Sequence, residues 1–280
     1  MALYEKLDHW TKECAETAET YKTVPDNMEF DRMQMCEICL GRKAGIDTGV
    51  YSKKEFAAPH MREIRLGLIT GVDISYYADP VYNWYQMSEI RKGLECGVQA
   101  AEYAKPEYDF LVMREIRLAM MSGFSILPYV QKGYEGDILK EIRLALEEHL
   151  DLTGYVEQGY SPDQLSEIRL ALHDNIDIIP YLKMGLLGTQ LYEIRLGISH
   201  GVDVACYAYT DYNWMQMREL RYGLENHIDI RWYSKPLFHW MQMREIRLGL
   251  EENLDVGQYA KLCYDTQRMK EVRKFLRGPT

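Results

Sequence analysis

The sequence has no long apolar run and no excess of basic charge, and both absences limit what the chain can do. No stretch approaches 18 consecutive apolar residues, so we expect no transmembrane helix and no membrane partner. The first residues run directly into charged side chains without the apolar core of a signal peptide, which favours a cytoplasmic protein. The 43 acidic residues outnumber the 33 basic ones, for a net charge of −10, and this disfavours direct binding to nucleic acid.

Cysteine, histidine and glycine form none of the arrangements that are typical of metal, cofactor or catalytic sites. Only Cys36 and Cys39 of the six cysteines form a Cys-x-x-Cys pair, and no second pair or nearby histidine completes a zinc site. We interpret both as reduced structural thiols, with redox or metal chemistry as the alternative. The sequence contains no phosphate-binding loop, nucleophile elbow or His-Glu-x-x-His motif. We therefore expect no cofactor, no metal ion and no catalytic residue.

What the sequence does contain is one short repeat. The tripeptide Glu-Ile-Arg, or a close variant, recurs at intervals of 26 residues without insertion or deletion. Its glutamates are residues 37, 63, 89, 115, 141, 167, 193, 219, 245 and 271. We number these copies as repeats 1 to 10 and count positions within a repeat from its glutamate, which is position 0.

Each repeat predicts a long helix followed by a short one. Met87, Ile90 and Leu94 illustrate the apolar face of the long helix. Position +8 is Gly, Asn or His, residues that tolerate the left-handed conformation at a helix C-terminus. Position +10 is usually Asp, a good N-cap for a short α- or 3₁₀ helix, and position +14 is always Tyr. An aromatic residue at +19 is expected to pack under the start of the next long helix.

We therefore predict an all-α fold, a right-handed α-solenoid of about ten 26-residue repeats. Residues 1–30 would form an N-terminal capping helix, residues 31–270 the repeats, and residues 271–280 a C-terminal capping helix. Position +4 is Gly or Ala in repeats 1 to 9, which we expect to let the adjacent helix approach closely. The last repeat has Phe275 there, as expected where no further repeat packs. The central stretch, about 136–190, lacks the Trp-bearing turn of its neighbours and forms a second type of repeat.

The long-and-short helix pattern resembles the leucine-rich-variant repeats, which alternate an α-helix with a 3₁₀ helix. The hexapeptide Glu-Ile-Arg-Leu-Gly-Leu at 63–68 is similar to repeat arrays in uncharacterised proteins of gut bacteria and their mobile elements. Both resemblances cover nearly the whole chain. The first implies only the architecture, and the second implies no established activity.

The recurring Glu and Arg are more easily explained by structure than by chemistry. Two residues apart on one helix, they do not face each other, so we expect the Glu of one repeat to meet the Arg of the next in a ladder. A function should instead lie where repeats differ, which is at positions +12 and +13 on the short helices, the short-helix strip, and at the Trp-bearing turns. Solenoids tend to place the shorter element on their concave side. The alternative for the tryptophans is that they fill gaps between repeats. The candidate binding residues are Tyr76, Asn83, Trp84, Glu102, Asn213, Trp214, Arg231, Trp232, His239 and Trp240.

The function that this pattern favours is a non-enzymatic, macromolecule-binding scaffold whose partner is a protein. A first alternative is an acidic decoy or inhibitor from a mobile element that blocks a nucleic-acid-binding or defence protein. That alternative requires the acidic residues to cluster on one face. A second alternative is an enzyme or small-ligand-binding protein with a pocket between repeats.

Overall fold

The computed structural model of the chain describes residues 29–278, and every regular element in that range is a helix. The predicted N-terminal capping helix, with its apolar stripe, falls almost entirely outside these residues. None of the helices between residues 29 and 278 is long and apolar enough to cross a bilayer.

Long and short helices alternate along the chain, with 12 or 13 residues in each long helix and three to five in each short one. In chain order they are α1 Arg32–Lys43, η1 Thr48–Val50, α2 Ala58–Thr70, η2 Ile74–Tyr76, α3 Trp84–Glu95, η3 Ala100–Glu102, α4 Phe110–Met121, α5 Leu127–Gln131, α6 Gly136–Glu147, α7 Thr153–Glu157, α8 Pro162–His173, α9 Ile179–Leu182, α10 Gly188–Ser199, η4 Val204–Cys206, α11 Trp214–Glu225, η5 Ile230–Trp232, α12 Trp240–Glu251, η6 Val256–Gln258 and α13 Thr266–Arg277. The prediction of one long and one short helix per repeat is confirmed.

The described residues form two compact units, divided between Arg143 and Leu144. In the first unit α1, α2, α3 and α4 pack successively against one another. In the second unit the same succession runs through α8, α10, α11, α12 and α13. Each unit is an all-α solenoid, because the long helices of these two series pack against the long helix of the next repeat.

The end of each long helix follows the predicted cause. All nine residues at position +8 have a positive φ, between 55° and 80°. They are Gly45, Gly71, Gly97, Gly123, His149, Asn175, Gly201, His227 and Asn253. The left-handed residue turns the chain back so that the next N–H reaches a carbonyl in the last turn, as Val72 does to Gly67 at 3.0 Å.

The 3₁₀ helices η1, η2, η4, η5 and η6 begin at the predicted aspartates, whereas the N-caps of α5, α7 and α9 are Ile126, Leu152 and Ile178, one residue later than predicted. Each Asp at +10 accepts a hydrogen bond from the N–H two residues later, as Asp203 does from Ala205 at 3.0 Å. Gln99, the exception in the sequence, makes no such bond. Pro128 and Pro180 lie in the first turn of α5 and α9, where a missing N–H is tolerated.

The long helices begin at a feature that sequence reasoning missed, the Gln at position −3. The Gln86 side chain accepts from the N–H of the N-cap Asn83 at 2.8 Å and closes a capping box. Its Nε2 also donates to the carbonyl of Tyr108, in the next repeat, at 2.7 Å. Equivalent bonds from Gln to a carbonyl 22 residues later are made by Gln34, Gln164, Gln190, Gln216 and Gln242. One side chain therefore both starts a helix and ties two repeats together.

The small residue at +4 has a different reason from the one expected. In six repeats it is Gly, and a Cβ there would lie 1.8–2.1 Å from the hydroxyl of the Tyr at +14 of the same repeat. That Tyr is fully buried, and its hydroxyl donates to the carbonyl of the Glu at position 0 at 3.1–3.3 Å. The glycine makes room for this hydroxyl rather than for an adjacent helix. Phe275, at +4 in the last repeat, is 83% exposed.

Repeats 4 to 6 use another core, and this range overlaps the predicted second type of repeat, about 136–190, but begins earlier. Ala occupies +4, the short element is an α-helix, and the Tyr at +14 is only half-buried. Val130, Val156 and Leu182, one residue later, are buried instead. Because the Ala methyl occupies the space of the hydroxyl, the chain turns the next residue inward.

Candidate functional site

The Glu–Arg ladder is a structural element, as predicted. Eight glutamates at position 0 pair with the Arg at +2 of the next repeat, with N–O distances of 2.7–2.9 Å. The pairs are 37–65, 63–91, 89–117, 115–143, 167–195, 193–221, 219–247 and 245–273. No side chain among them is more than 12% exposed, so the ladder offers little surface to a ligand.

Several of these arginines also contact a second carboxylate. One arginine and two carboxylates together carry a net negative charge. Arg221 contacts Glu193 at 2.8 Å and Glu225 at 2.5 Å, and Arg273 contacts Glu252 as well as Glu245, both at 2.8 Å. Burial alone would lower the pKa of Arg221, but the hydrogen bonds with its two carboxylates raise that pKa above the usual range. One guanidinium cannot neutralise two carboxylates, so negative charge accumulates where the second one lies.

That charge collects at the C-terminal ends of the long helices of the second unit. We call this surface the acidic edge; it comprises residues 147–154, 173–180, 199–206, 225–232 and 251–258. These segments hold eleven Asp and Glu residues but only one Lys or Arg, which is Arg231. The corresponding segments of the first unit, 43–50, 69–76, 95–102 and 121–128, hold four acidic residues and one basic residue. Six aspartates of the acidic edge are exposed: Asp151, Asp174, Asp177, Asp203, Asp229 and Asp255. The negative ends of the helix dipoles point the same way.

An open groove of about 510 Å³ lies on the acidic edge. His200 Nδ1 lies 2.6 Å from Glu225 Oε1 across this groove, and Asp203 and His227 also line it. Partial burial favours the neutral acid, but hydrogen bonds from His200 and Arg221 hold the pKa of Glu225 below its usual value. The groove is therefore a polar, negatively charged part of the surface. Among the described residues, no group of His, Cys, Asp and Glu is arranged to hold a metal ion.

The opposite ends of the long helices carry Trp84, Trp214 and Trp240. Trp214 and Trp240 are the first residues of α11 and α12, which pack against each other. The guanidinium of Arg218 lies between their rings, with Cζ 5.2 Å from the Trp214 centroid and 5.8 Å from that of Trp240. Both distances are within the range of cation–π attraction.

The turns that lead into α10, α11 and α12 form a surface unlike the acidic edge. We call it the apolar edge; it comprises residues 182–189, 208–215 and 234–241. Only one acidic residue, Asp211, occurs in these segments. Large apolar side chains stand in solvent here: Met184, Leu187, Tyr209, Trp214, Leu237 and Met241, with Leu237 80% and Leu187 67% exposed. An apolar surface on consecutive repeats is typical of a protein-binding site.

The candidate residues from the sequence fall on two surfaces. Tyr76, Glu102, Arg231 and Trp232 are exposed on the short helices, and a Cβ on Gly257 of the next repeat would lie 3.4 Å from the Trp232 ring. Arg231 is held by Asp229, whose carboxylate accepts from it at 2.6 and 2.8 Å.

The other candidates lie at the N-terminal ends of the long helices. Asn83, Asn213 and His239 are N-caps whose side chains accept from the first turn. Trp84 and Trp240 are half-buried, and the Trp84 ring stacks 3.5 Å from that of Tyr85. Trp214 is 38% exposed. The three N-caps, Asn83, Asn213 and His239, therefore have structural roles. The tryptophan rings beside them are still partly exposed to solvent.

Sequence reasoning did not single out Arg218. The signal was present, because Arg218 follows Trp214 by four residues and so shares its helix face. What the sequence did not show is that Trp240, from the next repeat, covers the other side of the guanidinium.

Comparison with known proteins adds no relative. No protein-family model, no curated protein and no solved structure matches the chain.

Proposed function

We propose that the chain is a non-enzymatic scaffold that binds a protein through the Trp-bearing apolar edge of its second unit. The observation that carries this proposal is the exposure of Leu187, Leu237, Trp214 and Met241 in the consecutive turns before α10, α11 and α12. Exposed apolar area is unfavourable in water unless a partner covers it, and Trp is enriched among residues that dominate binding energy.

The polar residues that recur along the repeats support the same proposal, because their hydrogen bonds and ion pairs are made within the fold. Glu193 and Arg221 are buried in the ladder, Gln216 bonds to the carbonyl of Phe238, and the Tyr233 hydroxyl bonds to the carbonyl of Glu219. Glu193, Arg221 and Gln216 join neighbouring repeats, and Tyr233 joins the two helices of one repeat. The residues left over for a partner are the ones that vary between repeats.

Affinity capture from the source organism tests the proposal. The full chain would be compared with Leu237→Asp, which places a charge at the most exposed apolar residue of the apolar edge, and with Ile179→Asp as the matched control. Ile179 is also an exposed apolar residue, at 55%, but it lies on α9 at the acidic edge. We expect a protein that binds the wild type and the control, and whose affinity for Leu237→Asp falls at least tenfold in a purified assay. An equal loss of affinity in both variants, or no loss of affinity in Leu237→Asp, would contradict the proposal.

A second candidate function is inhibition of a basic, nucleic-acid-binding protein by the acidic edge. The acidic edge of the second unit favours it, because its segments contain eleven carboxylates and only one basic side chain. The exposed aspartates offer a clean test, because Asn replaces Asp as an N-cap while removing its charge. Asp203→Asn, Asp229→Asn and Asp255→Asn combined should leave the helices intact. If this function holds, the triple variant releases a basic partner that the wild type withholds from DNA, and the wild-type complex weakens steeply with salt.

A further inference from the structure

The Trp-flanked arginine at the apolar edge indicates what kind of partner this surface takes. Resting on the proposed function, we infer that the partner is a protein segment with apolar side chains next to an Asp or Glu, whose carboxylate pairs with Arg218. The apolar side chains would cover Trp214, Leu237 and Met241. Arg218 then contributes specificity, and the exposed apolar residues contribute most of the affinity.

Arg218 is held in place but lacks a strong partner of its own. Its Nε is buried without a hydrogen bond among the described residues, so a partner can reach only the exposed part of the side chain, which is 29% exposed. The carboxylate of Glu219 is 3.9 Å away, beyond hydrogen-bond distance. A guanidinium fixed between two rings loses little side-chain freedom when it binds, and its planar fork matches a carboxylate in two parallel hydrogen bonds.

Repeats 3 and 4 lack this arrangement at the same position. Arg114, at the same position in repeat 4, donates from Nε to Glu115 at 3.0 Å and so already has its partner. Repeat 3 has Ser88 there, and Tyr85 stacks on Phe110 with a centroid distance of 4.9 Å. In α11, where a second Trp follows one repeat later, the arginine lies near both Trp rings and 3.9 Å from its neighbouring glutamate.

Charge complementarity favours an acidic segment over a basic one. Within the three turns of the apolar edge, Asp211 is the single acidic residue, beside Lys183 and Lys235. The N-terminal ends of α10, α11 and α12 add positive ends of helix dipoles. A nucleic acid would meet the same Arg and rings, but the chain carries a net charge of −10 and its acidic edge repels phosphate.

Selection of a displayed random-peptide library on the full chain tests the inference. We expect the selected peptides to combine aromatic or aliphatic residues with Asp or Glu. A synthetic version of the best peptide would then be titrated against the wild type, Trp214→Ala, Arg218→Gln and the control Arg114→Gln. Arg218→Gln should weaken binding by about tenfold to a hundredfold, the range for a charge-assisted pair. Changing the acidic residue of the peptide to its amide should weaken binding to the wild type by the same factor. The same change should weaken binding to Arg218→Gln little further.

The outcomes separate this inference from the function on which it rests. If Trp214→Ala weakens binding but Arg218→Gln behaves like Arg114→Gln, the apolar edge binds a protein and the carboxylate inference is wrong. If Trp214→Ala has no effect on any selected peptide, the proposed function of this edge fails as well. If single-stranded oligothymidylate competes with the peptide in a manner that depends on Arg218, the site is one for nucleic acid and the inference is overturned. A melting temperature within the wild-type range is required of every variant.

Discussion

The substitution Gly67→Ala should destabilise the protein, although the same change usually stabilises a helix. In the middle of an exposed helix, Gly to Ala gains about 1 kcal/mol because Ala restricts the unfolded chain and favours the helix. Here the new Cβ would lie 1.8 Å from the Tyr77 hydroxyl and 3.1 Å from Cγ2 of Ile74. Tyr77 is fully buried and donates to the carbonyl of Glu63 at 3.2 Å, so it has no free space into which to move.

The expected net change follows from three effects. Overpacking a core costs about 1–3 kcal/mol. Loss of the Tyr77 hydrogen bond adds about 1 kcal/mol. These outweigh the gain in helix propensity, so Gly67→Ala should lower the free energy of unfolding by about 1–3 kcal/mol. A urea titration followed by circular dichroism would show a lower midpoint with an unchanged slope.

A double-mutant cycle identifies the cause. Tyr77→Phe removes the atom nearest to the new methyl group, so Gly67→Ala should be less damaging in that background than in the wild type. The matched control is Ala119→Gly, the reverse change at the same position in a repeat whose Tyr is not buried there. We expect it to cost about 2 kcal/mol, from lower helix propensity and from the loss of a fully buried methyl group. A stabilising Gly67→Ala, or effects that simply add in the double variant, would refute the steric explanation.

Three further outcomes follow from the described contacts. Arg221→Gln should destabilise the chain by about 3 kcal/mol because it leaves Glu193 buried without its cation. Adding Glu193→Gln should restore most of the thermal stability, and a failure to restore it would contradict the ladder interpretation. Gly71→Ala, at φ 73° with open space around its Cβ, should cost about 1 kcal/mol and Gly71→Asn clearly less, as measured by thermal melting, whereas equal effects would argue against a left-handed cap. Burial raises the pKa of Tyr51 from 10 to about 12 and also raises the pKa of the five equivalent tyrosines. Because the folded chain holds the neutral phenol, the stability that these tyrosines contribute is complete below pH 10 and is lost as the pH rises towards 12. Absorbance and circular dichroism followed together would then detect tyrosine titration and unfolding in the same pH range.

Much of the fold could be predicted because the 26-residue repeat places each residue type where local chemistry needs it. Gly, Asn or His at +8 and Asp at +10 act through backbone geometry within a few residues, and their roles were readable at once. The ladder was also predictable, because a Glu and an Arg in every repeat have an obvious partner one repeat away. The reason for Gly67 was not, since Tyr77 lies ten residues further on and only the folded chain brings its hydroxyl to that glycine.

The candidate site was predicted in part. Trp214 and Trp240 were identified from the sequence as unusual within the repeat, and the structure places both at the apolar edge. Asn83 and Asn213, chosen with them, are helix caps. A turn residue that differs between repeats can differ for a structural reason, so the binding role of these two residues stays a prediction. Arg218 was missed because its role depends on a ring from another repeat.

The sequence alone determined the period, the two helices of each repeat, the residues that end the long helices and most of those that begin the short ones. All of these depend on interactions among neighbours along the chain. Tertiary structure alone decided which core each repeat uses, where the second carboxylate of each arginine lies, and how charge and apolar surface divide between the two ends of the long helices. Those properties arise from side chains that are 10 to 28 residues apart and meet only when repeats stack, so the repeat itself could not show them.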